Sequence, residues 1–118
     1  MPCKIENENG TITINNEVIA RIAGLAAMGC YGIVGMASKS MKDGLVRLLR
    51  RENLTRGVKV RYKDNVVRVD LHVVAEYGTN ISAICKTAVS NVKYIIEDMT
   101  GIRVSRVNIY VEGLRVAK

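Results

Sequence analysis

Between residues 66 and 111 the hydrophobic period changes twice, and that change leaves few folds open to the chain. In "VVRVDLHVVAE", Val67, Val69, Leu71, Val73 and Ala75 alternate with Arg68, Asp70, His72, Val74 and Glu76, which is the period of a strand. From Ile81 the apolar residues move to steps of three and four: Ile84, Cys85, Ala88, Val89, Val92, Ile95, Ile96 and Met99. That spacing predicts an amphipathic helix whose Ile84–Ala88–Val92–Ile95 stripe lies on a sheet. Asn80 suits its N-cap, and Gly101 suits a left-handed C-terminal cap. Ile102, Val104, Val107, Ile109 and Val111 then return to a strand, with a change of parity that a bulge near Ser105 would absorb. A strand, a long helix and a strand joined by short loops place the two strands parallel, through a crossover.

The preceding residues extend this unit. Val58, Val60 and Tyr62 alternate with Lys59, Arg61 and Lys63, and Asp64-Asn65 turns the chain back, so 58–76 reads as a hairpin. Near the start, "GTITIN" predicts a short strand over 11–14, and Asn15 or Asn16 can cap the following helix. In that helix Val18, Ile22 and Leu25, beside Ile19, Ala23 and Ala26, predict a broad apolar face ending near Gly29. Gly29, Gly32 and Gly35 then suggest an irregular, tightly turned connection. Met41, Leu45, Leu48 and Leu49 predict a narrower helix over 39–52, weakened at Gly44 by about 1 kcal/mol relative to alanine. The expected fold is α+β: a two-layer sandwich, with a small mixed sheet and helices packed on one face. A KH-like arrangement with an added C-terminal strand is the alternative. Residues 1–10 read as a polar tail, 11–113 as one domain and 114–118 as a C-terminal tail.

Composition restricts function more than fold. At 118 residues and 48% hydrophobic, the chain can form one folded domain with an aliphatic core. No apolar run spans a bilayer, and "MPCKIENENG" lacks a hydrophobic signal segment, so a cytosolic protein is expected. Cys3, Cys30 and Cys85 form no CxxC pair, which fits a reducing compartment. Cys85 falls on the apolar helix face and Cys3 in the tail, and neither has an evident base to activate a thiolate. The net charge of +7 is concentrated: residues 39–68 contain ten Lys and Arg against three acids. Such a segment attracts phosphates of nucleic acid or anionic lipid, or else forms a solvated face.

His72 is the only histidine. Asp70 and Glu76 share its face because every second strand residue must, and they lie about 7 and 14 Å away along the strand. It is therefore expected to be an exposed strand residue with no assembled partners. No nucleophile elbow, P-loop or dinucleotide fingerprint occurs, so neither an enzyme nor a cofactor or metal site is expected. "GCYG" and "GIVG" match the GxxG of a KH module, but Cys30, Tyr31, Ile33 and Val34 are apolar where a phosphate clamp is polar. An apolar glycine segment fits close packing against a core better.

"GTITINNEVIARIAGLAAMGCYGIVGM", "GVKVRYKD", "VDLHVVAEYGTNI" and "VKYIIEDMTGIRVSRVNIYVEG" together resemble the alkaline shock protein family of Gram-positive bacteria, from Gly10 to Gly113. The resemblance implies a small non-enzymatic protein of envelope homeostasis and stress response, with no catalytic residues to carry over. It also implies a position on the inner face of the cell membrane, held by a membrane-embedded protein partner. The expected function is thus an interaction or scaffold role. A nucleic-acid-binding module using the basic segment is the alternative. The candidate surface comprises Lys42, Arg47, Arg50, Arg51, Lys59, Arg61, Lys63, Arg68 and Tyr110. Anionic lipid and self-association stay open beside a protein partner.

Overall fold

The computed structural model describes residues 3–37 and 55–116. Among them, β1 (Cys3–Asn7) and β2 (Gly10–Ile14) form an antiparallel hairpin, followed by α1 (Asn16–Met28) and β3 (Ile33–Met36). Further along the chain come β4 (Val58–Lys63), β5 (Val66–Glu76), α2 (Ile81–Thr100) and β6 (Arg103–Arg115). The architecture is the expected α+β one. The helix expected over 39–52, with Lys42, Arg47, Arg50 and Arg51, lies outside the described residues.

Strand β5 organises the sheet. Along one edge it pairs in parallel with β6 from Val66 to Glu76. Its other edge is shared: β4 pairs antiparallel with 66–71, and β3 pairs antiparallel with 73–75. Asp64 and Asn65 both take positive φ in the β4–β5 connection, as a two-residue turn of the type that suits strand twist requires. The parallel register slips where expected, leaving Ser105 as a bulge, and slips again between Val111 and Gly113. The Ser105 hydroxyl donates to the Val67 carbonyl, which anchors the first bulge.

Both helices lie on one sheet face, and the core forms between them. Val67, Val69, Leu71 and Val73 on β5 are buried with Ile19, Ala23 and Ala27 of α1 and Ala88, Val92 and Ile96 of α2. Asn80 caps α2 by accepting from the Ala83 N–H, and Gly101 closes it at φ 73°. The α2 stripe continues to Ile96, not Ile95, which is only partly buried, and Met99 is exposed. Residues four apart drift by about 40° around a helix, so the 84–88–92–96 row winds across the sheet. A straight stripe returning to 95 does not meet the same surface.

Four further expectations are corrected. The N-terminal residues are not a tail: β1 pairs with β2, Cys3 is buried, and the Tyr62 hydroxyl donates to the Lys4 carbonyl at 3.2 Å. On α1 the buried face is Ile19, Ala20, Ala23, Gly24 and Ala27, while Val18 and Leu25 are exposed. Small residues let α1 approach its neighbours closely, and the large ones at 18 and 25 fall on the opposite side of the helix. The glycine segment contains a strand, so the second GxxG is part of β3 and not a phosphate-clamping loop. Gly32 takes φ 87°, and a Cβ there would run into the Ile84 side chain, so this segment does pack against the core. At the other end, β6 runs on to Arg115, into the stretch expected to be a tail.

Candidate interaction surface

The alternation of β4 sends Val58, Val60 and Tyr62 toward the helices and leaves Lys59, Arg61 and Lys63 exposed on the opposite face. Arg68 is exposed on the same face of β5. Register then assembles what separate positions in sequence do not reveal. Arg61 pairs with Arg68, and Arg68 with Arg106, so three exposed arginines stand in one row across three strands. The row below brings Lys63, Val66 and Arg103 together, and the row above brings Lys59, Asp70 and Asn108. Asn108 donates its amide N–H to Asp70 Oδ1 at 2.8 Å. Arg103 and Arg106 were not among the expected surface residues. The parity change at Ser105 was the signal that puts Arg106 beside Arg68.

Tyr110 is also on this face, opposite His72 in the register. Their rings stack at 4.9 Å with 18° between planes, and Tyr110 remains 46% exposed. His72 is not the solitary strand residue expected: its Nδ1 lies 2.8 Å from Glu112 Oε2. The partner comes from β6, forty residues away, where a within-strand distance argument cannot reach. The pair sits on an open sheet face, both side chains about one-fifth exposed. Among the described residues no group of three or more His, Cys, Asp or Glu is arranged to hold a metal ion.

The cysteines are structural neighbours of the core. Cys3 and Cys30 are buried and Cys85 is half-buried. Burial pushes the thiols of Cys3 and Cys85 above their ordinary value, although the chain's amino terminus partly offsets this at Cys3. A raised thiol is a poor nucleophile near neutral pH.

A second exposed surface lies at the far end of β5. Glu76 N–H donates to Gly32 O, and Tyr77 N–H to Arg115 O, so the chain before β3 and the end of β6 meet there. Tyr31 is 82% exposed and Tyr77 65%, and Leu114 and Val116, on either side of Arg115 in sequence, are exposed too. A shallow groove of about 420 Å³ runs between Tyr31 and the first turn of α2.

These features define a small two-layer α+β domain with one basic sheet face and one apolar end. The same fold occurs in a histidine-to-alanine variant of MamM-CTD, with a TM-score of 0.50 at 10% identity, covering 88% of this chain and all of that one. The chain belongs to the alkaline shock protein 23 family, described by a cell envelope-related function, which matches residues 4–116. It is 47% identical over 117 residues to YloU of Bacillus subtilis, described as uncharacterized, covering 98% of each chain. It is 30% identical over 106 residues to a stress response regulator gls24 homolog of Streptococcus pyogenes, covering 90% of this chain and 59% of that one. The family is thus linked to the cell envelope and to stress response. No described helix is long and apolar enough to cross a membrane.

Proposed function

We propose that the protein is a non-enzymatic docking module of envelope stress, held at the inner face of the membrane by a membrane-embedded protein partner. The observation that carries this reading is the exposure of Tyr31, Tyr77, Leu114 and Val116 on the three segments whose backbones meet at the end of β5. Exposed aromatic side chains gathered at one site favour contact with another protein, because they bury much area at little conformational cost. A family role at the envelope supports the same reading. The histidine–carboxylate pair stabilises the open sheet face by joining β5 to β6, and takes no part in chemistry.

Cell fractionation tests this reading. Wild-type protein should sediment with membranes and resist a salt wash, because the contact is apolar. Tyr31→Ser combined with Tyr77→Ser should move it to the soluble fraction while leaving its fold intact by circular dichroism. A double variant still bound to membranes would contradict the reading, as would release of the wild type by salt alone.

A further inference from the structure

The arginine row costs stability in the isolated domain. Neighbouring strands are about 4.8 Å apart, and like charges directly opposite one another repel. Lys59, Arg61, Lys63, Arg68, Arg103 and Arg106 occupy three adjacent rows, an area of roughly 10 by 13 Å at strand spacing. Asp70 is the acid that register places among them, and Asn108 already occupies one of its oxygens. Among the described residues, none of the six cations makes an ion pair or a side-chain hydrogen bond. A dense set of unpaired cations is complementary to a chain of phosphates.

Four of the six are arginines, whose planar guanidinium binds phosphate oxygens in pairs. Directly beyond the Lys59–Asp70–Asn108 row stands the half-exposed Tyr110, its ring held in place by the His72 stack and the His72–Glu112 bond. A positioned aromatic ring beside a cationic track is what single strands use: phosphates follow the charge and a base stacks on the ring. A lipid surface has no use for such a platform without apolar anchors around it. On this face the exposed residues of β4 are Lys59, Arg61 and Lys63.

We propose that the open face of the β4–β5–β6 sheet binds single-stranded nucleic acid, with phosphates along Arg61–Arg68–Arg106 and a base on Tyr110. This surface is separate from the apolar end that docks the protein partner, so either reading can fail alone.

The test is fluorescence anisotropy of a labelled twelve-nucleotide oligouridine with the purified full chain, between 50 and 200 mM salt. Arg68→Gln with Arg106→Gln should weaken binding at least about tenfold and make the log–log salt slope shallower by about 1.4, two phosphates at about 0.7 each. Tyr110→Ala should weaken it about five- to hundredfold with the slope unchanged, because stacking releases no counterions. The double variant relieves charge repulsion and should fold at least as stably as the wild type, which a urea melt checks. Arg61→Gln, on the outer strand, gives an independent reading of the row. Unchanged affinity in the folded double variant overturns the proposal. So does stronger binding to phosphatidylglycerol vesicles than to the oligonucleotide, which would assign the face to a lipid surface.

Discussion

Ile96 and Ile95 are adjacent, chemically identical and energetically different. Ile96 is fully buried in the cluster that joins α2 to β5, whereas Ile95 is only partly buried and outside it. Ile96→Ala should cost about 2–5 kcal/mol in chemical denaturation, as a cavity in a packed core does. Ile95→Ala should cost clearly less, and equal losses would mean the helix is rotated from the orientation described. The thiols carry a second residue-scale consequence. Cys3 and Cys85 ionise less readily in the folded chain than in the unfolded one, because burial disfavours the thiolate. Their contribution to stability is full below the ordinary thiol pKa of about 8.5 and is lost as pH rises through the raised folded values. Urea midpoints should therefore fall as pH rises above the ordinary thiol value, and fall less in Cys3→Ala with Cys85→Ala. Parallel declines would show that other groups control the alkaline limit.

Among the elements, β3 shows what period alone conceals. Its four residues include Gly35, and a register shift against β5 leaves Val34 out of the alternation, so no clean strand pattern survives in "IVGM". The long elements were legible because they are regular: β5, α2, the hairpin turn at Asp64-Asn65 and the bulge at Ser105 follow from period and from glycine and asparagine placement. The buried face of α1 was not, because hydrophobicity favours Val18 and Leu25 whereas close packing favours Ala23, Gly24 and Ala27. Where β3 ends and β4 begins, both reach His72 on β5, and the Ala37 N–H donates to its carbonyl at 2.8 Å. A Cβ at Gly57 would stand 2.5 Å from the Ala37 carbonyl oxygen and 3.2 Å from that of His72. Those obstacles are backbone and cannot rotate away. Gly57→Ala should cost about 1–3 kcal/mol by overpacking, read as a lowered urea midpoint. An unchanged midpoint would mean the two short strands do not abut there.

For the whole molecule, the division of labour between its surfaces follows from register more than from composition. The sequence concentrates its excess charge in 39–68, but the sheet redistributes it: Arg103 and Arg106 from the last strand join Lys59, Arg61, Lys63 and Arg68. Of the expected surface, those four β4 and β5 residues and Tyr110 do share one face. At the far end of β5, backbone hydrogen bonds bring together three separate stretches that carry the exposed Tyr31, Tyr77, Leu114 and Val116, which no local pattern announces. We propose that attachment at the membrane uses the exposed apolar residues at the end of β5, and not the basic face. Site-specific photo-crosslinking in living cells tests that assignment most directly, with the reactive side chain placed at Tyr77 and, for comparison, at Arg61. The account predicts a crosslink from Tyr77 to a membrane-spanning protein, lost when Tyr31 is changed to serine, and no such adduct from Arg61. Crosslinks to that protein from Arg61 but not Tyr77, or to lipid alone from either position, would contradict it.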